Sequence, residues 1–130
     1  MGVDGCNCLE IRGSKETLDA LEASGLALEA EEWRSIAVRF FGPAQIHIVY
    51  RTPLHLVVDY EFRNGTIYEY LEALLAANPT CWFKNTYSAE DGHCGLWIGR
   101  YHGTDKNIQV HEWMELEPEE REFETDFSRR

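Results

Sequence analysis

Along the first half of the chain, apolar positions change period several times, and each change marks an element boundary. In Gly5 to Arg12, Asn7, Leu9 and Ile11 alternate with Cys8, Glu10 and Arg12, which predicts a strand with Leu9 and Ile11 facing a core. Gly13-Ser14 interrupts it, and Ser14 is a suitable cap for a helix running to about Ser24, with Leu18 and Leu21 inward and Gly25 at its end. From Leu26 to Phe41, the residues Trp33, Ile36, Ala37, Phe40 and Phe41 fall at helical spacing. The composition of residues 36–41 also suits a strand, but the spacing favours a helix, which Gly42-Pro43 terminates.

Two alternating runs follow. In the first, Ile46, Ile48 and Tyr50 oppose Gln45, His47 and Val49. In the second, Leu54, Leu56, Val58, Tyr60 and Phe62 oppose His55, Val57, Asp59 and Glu61. Arg51-Thr52-Pro53 turns between them, which predicts an antiparallel pair. Thr66 and Glu69 form a capping box for a helix through about Ala77, with Ile67, Tyr70, Leu71, Leu74 and Leu75 as its apolar stripe. Cys81 to His102 reads as a hairpin of two aromatic, β-branched runs about Glu90-Asp91-Gly92. After a loop over Gly103 to Lys106, Asn107 to Leu116 predicts a last strand. Pro118 and the acids after it then predict a short helix that Phe123 and Phe127 would dock.

With the segment over Leu26 to Phe41 set aside, the order starts βαββαβ. It predicts one α+β domain over 1–130: a ferredoxin-like antiparallel sheet extended by a C-terminal hairpin, two or three helices on one face, and 117–130 as an acidic helical tail. The opposite face would gather Cys6, Cys8, Glu10, His47, Val49, His55, Val57, Asp59 and Glu61. The pattern does not say which side of the hairpin joins them.

Composition narrows the function classes. A net charge of −11 disfavours binding to phosphate backbones, so no direct nucleic-acid binding is expected. His111 to Arg130 alone holds eight acids and three Arg, a net of −5. Such a run is ordinarily a solvated tail; read more sharply, it docks a basic partner or imitates a nucleic-acid backbone. No apolar run is long enough to cross a bilayer, and the first residues have neither the basic region nor the apolar core of a secretory leader. The expected setting is intracellular, not secreted and not membrane-bound.

The hairpin also carries a resemblance. Trp82-Phe83-Lys84-Asn85, then Glu90-Asp91-Gly92, then Gly95-Leu96-Trp97-Ile98-Gly99 resembles a signature of uncharacterised proteins of large DNA viruses and phages, with Phe83 where those proteins carry Ile. Asn78-Pro79 and Glu112-Trp113 are similar as well, so the likeness covers about Thr66 to Glu122. Some of these proteins are similar to a phage and plasmid group with a ferredoxin-like domain. The resemblance implies a viral origin (host cytoplasm or virion) and that fold, and it implies no activity.

Candidate chemistry is thin. Cys6-x-Cys8 is a single close pair, and Cys81 and Cys94 lie on opposite hairpin arms, which is poor spacing for structural zinc. His93 and Cys94 are adjacent on a strand and point to opposite faces, so they make a poor nucleophile–base pair. Asp59 and Glu61 share a face and could divide acid and base roles, although alternating acids usually mark only a wet side. No metal or cofactor and no catalytic residue is expected. The aromatic hairpin is the expected working surface, with Trp82, Lys84, Asn85, Trp97, Arg100 and Trp113 as candidate contacts to a protein partner. Of these, Lys84 also suits the role of a charge guarding a sticky strand. The expected function is that of a non-catalytic viral accessory or virion protein acting through protein contacts. The alternative is an acidic nucleic-acid mimic that inhibits a host DNA- or RNA-binding protein.

Overall fold

The computed structural model describes residues 4–63 and 68–114. The predicted cap at Thr66 and the tail over 117–130 lie outside these residues.

Strand β1 spans Asp4–Arg12 and leads into helix α1, Lys15–Ser24. Ser14 caps α1 by accepting the Thr17 amide at 3.2 Å, and Gly25 ends it in the left-handed region at φ 62°. A 3-10 turn at Glu31–Trp33 runs into α2, Arg34–Phe40, so helical spacing prevailed over strand-like composition there. Strands β2, His47–Thr52, and β3, His55–Arg63, form the expected antiparallel pair. Helix α3 spans Tyr68–Ala77, and β4, Trp82–Ala89, β5, His93–His102, and β6, Asp105–Met114, complete the described chain.

All six strands belong to one antiparallel sheet in the order β2-β3-β1-β4-β5-β6. This corrects the expected fold class. The ferredoxin-like plan made the final hairpin an extension of a finished domain, whereas β5 is part of the core. It supplies Trp97, the largest fully buried side chain, and α3 packs against it. The fold is a sheet-rich α+β architecture: one continuous six-stranded sheet and three short helices.

One face of the sheet buries Leu9 and Ile11 of β1, Leu56, Val58 and Tyr60 of β3, Phe83 of β4 and Trp97 of β5 beneath Leu18, Leu21, Leu71, Leu74 and Leu75 of the helices. Aromatic contacts tie this layer together. Phe41 stacks on Tyr70 with ring centroids 4.2 Å apart, and Trp33 meets Tyr70 edge-on at 5.4 Å. The Tyr70 hydroxyl donates to the Leu26 carbonyl at 2.6 Å and accepts the Leu28 amide at 2.9 Å, and burial pushes it up to about 12. Those bonds hold the chain after α1, where Leu26 takes an unusual positive φ of 64°.

A polar chain crosses the same layer. Tyr60 donates to Asn85 Oδ1 at 2.8 Å, and Asn85 Nδ2 donates to Asn7 Oδ1 at 3.0 Å. Both asparagines are buried, which is tolerated because their amides are bonded to one another. Glycine makes room for the neighbouring rings. A Cβ at Gly95 would lie 2.0 Å from Tyr87 Cε1 of the facing strand, and one at Gly99 would lie 2.4 Å from Trp97 Cη2. On β2, a bulge between Ile48 and Tyr50 shifts the register, so Tyr50 opposes Val57 and joins the other face, contrary to simple alternation. Arg51 then points to the helices and pairs with Asp19 at 2.7 Å and Glu22 at 3.0 Å.

Candidate interaction surface

The face away from the helices is where the sheet meets solvent. Strand pairing places its side chains in rows. One row runs His47, Asp59, Cys8, Thr86, Leu96, His111, and the next runs Glu61, Cys6, Ser88, Cys94, Trp113. On the other side of the first row come Val57, Glu10, Lys84, Ile98 and Gln109, and then His55, Arg12 and Trp82, with Arg100 two residues past Ile98 on the same face. The face is therefore graded, with acids, thiols and Trp113 towards one end, half-buried apolar residues in the middle, and cations with the Trp82 and Tyr50 rings at the other end.

The hairpin contributes its even-numbered side to this face. Trp82, Lys84, Thr86 and Ser88 come from β4, and Cys94, Leu96, Ile98 and Arg100 from β5. Sequence alternation had left that choice open. Among the candidate contact residues, Trp82 and Lys84 are half-buried here and Arg100 is exposed. Trp113, on β6, is 51% exposed. Asn85 and Trp97 are buried on the helix side and cannot be surface contacts. Asn85 is taken into the chain with Tyr60 and Asn7, and Trp97 into the apolar core.

At the cationic end the Arg12 guanidinium sits 5.6 Å from the Trp82 ring. Glu10 lies between two bases, 3.6 Å from His55 Nε2 and 4.0 Å from Lys84 Nζ. Tyr50 packs edge-on against His55 at 5.5 Å. Three of these residues, Tyr50, His55 and Arg12, were not among the candidate partner contacts, although the alternation had already put His55 on this face. The bulge that brings Tyr50 over has no local signature, and the Arg12–Trp82 pairing joins positions seventy residues apart.

At the acidic end a broad open groove runs past Cys6, Cys8, Asp59, Glu61, Thr86 and Ser88. Its thiol is a poor nucleophile: burial, together with the charge and hydrogen bond of Asp59, pushes Cys8 up to about 11, so it stays protonated at neutral pH. All four cysteines are free, and Cys94 faces Ser88 across the hairpin. His93 bonds Asp91 at 2.8 Å, away from Cys94. Asp59 opposes His47, while His55 turns to Glu10. Among the described residues no three His, Cys, Asp or Glu side chains converge as a metal site would require. Among the same residues no helix is long and apolar enough to cross a membrane.

The sheet face is thus chemically graded, with neither a nucleophile–base pair nor a metal cage among the described residues. No protein-family model matches the chain, and no curated protein and no solved structure matches it.

Proposed function

We propose that this protein is a non-catalytic viral accessory or virion component that works by binding another protein through the helix-free face of its sheet. The observation that carries the reading is the cationic, aromatic end of that face. Arg12, Trp82, Lys84, Arg100, His55 and Tyr50 cluster there, in a chain whose net charge is −11. Stacked Arg–Trp pairs and half-buried aromatics beside polar rims are the usual anchors of protein interfaces. The partner chemistry this end suits is an acidic segment with an apolar residue for the Val57, Leu96 and Ile98 strip. The viral assignment rests on the hairpin resemblance alone. An intracellular setting, host cytoplasm or virion, is supported by four unpaired cysteines, which persist in reducing compartments.

The test is affinity capture from virion and host extracts, followed by titration of the captured protein against variants. Trp82→Ala and the pair Arg12→Glu with Lys84→Glu should keep a cooperative melt, because all three side chains are at least partly solvated. They should weaken the partner by roughly 2 kcal/mol, on the order of thirtyfold. Unchanged affinity in both variants would remove the cationic end as the working surface. Loss of binding only on neutralising acids would favour the acidic mimic instead.

A further inference from the structure

The two edges of the sheet are built differently. β2 is six residues long, is broken by its bulge and sits between Pro43 and Pro53, which are the usual protections of an edge strand. β6 has none of these protections. Its ten residues contain no Pro or Gly and pair with β5 without a break, from His102↔Asp105 to His93↔Met114. Among the described residues nothing pairs with its outer edge.

Which backbone groups lie on that edge follows from the turn. Gly103 and Thr104 form a two-residue loop, and the positive φ of Gly103, 64°, with none at Thr104, fits a type II′ turn. Such a loop is closed by a hydrogen-bonded pair, here His102 and Asp105. Alternation then directs the N–H and C=O groups of the odd residues 105–113 to β5. Those of Lys106, Ile108, Val110 and Glu112 are directed outward.

We propose that β6 pairs antiparallel with β6 of a second copy, joining two sheets into one about a two-fold axis at Gln109. Outward residues can pair only with outward residues, so the register must match even positions with even positions. Centred on Gln109, Lys106 opposes Glu112 of the second copy and Ile108 opposes Val110, each twice by symmetry. Asn107 opposes His111 on the other face. Opposite charges and β-branched pairs directly across a ladder are the favourable ones. Centring on Val110 instead sets Ile108 against Glu112, an apolar residue against a charge. Lys106 and Glu112 are already drawn to the helix side, Lys106 by Glu72 at 2.9 Å and Glu112 by the Tyr68 hydroxyl, which is where their cross-pair partners would stand. Val110 is 44% exposed, as an unfilled position would be. This inference is independent of the partner reading above.

Sedimentation of the full chain over a range of concentrations tests it. The mass should move from 15.0 kDa towards twice that value as concentration rises. Lys106→Glu and Glu112→Lys should each weaken self-association about tenfold or more, by setting like charges opposite one another. The double swap should restore it. Gln109→Cys, lying on the axis, should form a disulfide-linked dimer under mild oxidation, and Asn107→Cys alone should not. A wild-type chain that stays at 15.0 kDa throughout overturns the proposal. So does a dimer indifferent to both single reversals, or one that the double swap fails to restore.

Discussion

Replacing Gly99 by Ala tests how tightly the hairpin is built into the core. Gly99 has no positive φ, so its backbone suits alanine. On that ground alone the change would stabilise by about 0.4–1 kcal/mol through the unfolded chain. Packing opposes it. The new Cβ would stand 2.4 Å from Trp97 Cη2, 2.9 Å from Trp97 Cζ3 and 3.0 Å from Leu75 Cδ2. Trp97 and Leu75 are 1% and 0% exposed, so neither can swing into solvent. Overpacking of this kind costs roughly 1–3 kcal/mol. The net expectation is a loss of about 1–2 kcal/mol, or ~4–8 °C in Tm for a domain of this size. Denaturant and thermal melts measure it, with an unchanged m-value confirming that the same fold unfolds. A double-mutant cycle locates the cause. In a Trp97→Phe background the shorter ring no longer reaches Gly99, so Gly99→Ala should there be neutral or slightly stabilising. A neutral Gly99→Ala in the wild-type chain, or an equal cost in both backgrounds, refutes the argument that the Trp97 ring requires a glycine.

Two further outcomes follow from the interior. Tyr60→Phe should cost about 1–3 kcal/mol in a chemical melt, because it removes the donor to buried Asn85 Oδ1; no loss would mean that this polar chain contributes nothing to stability. Thiol labelling read by mass spectrometry should modify exposed Cys6 at neutral pH while sparing Cys8 until strongly alkaline pH. The sign for stability is set by the same shift. Folded Cys8 holds its proton above the ordinary value of 9.0, so the native state loses stability as pH climbs from 9.0 towards about 11, and equal labelling of both thiols at neutral pH would contradict the burial of Cys8 against Asp59.

Local chemistry in the chain was enough to place most elements. Ser14 and Gly25 bracket α1 because a side-chain acceptor and a left-handed residue are needed at its ends, and both needs are met within a few residues. Period-two alternation put Cys6, Cys8, Glu10, His55, Val57, Asp59 and Glu61 on the helix-free face, where they lie. What alternation cannot carry is the count of residues across a partner strand. The bulge in β2 adds one residue and sends Tyr50 to the face opposite the one its pattern indicated. Alternation also names two sides of a hairpin without saying which is inward. That was decided by pairing with β1, which set Phe83, Asn85 and Tyr87 beside Ile11, Leu9 and Asn7 and so buried Asn85 and Trp97. An asparagine reads as a surface residue until a second asparagine and a tyrosine from distant strands satisfy its amide. Fold class turned on the same kind of fact. Element order left open whether the last hairpin was an appendage or part of the core, which depended on where the Trp97 ring fits. Gly99 and Leu75 decided that by shape, across separations that local pattern does not reach.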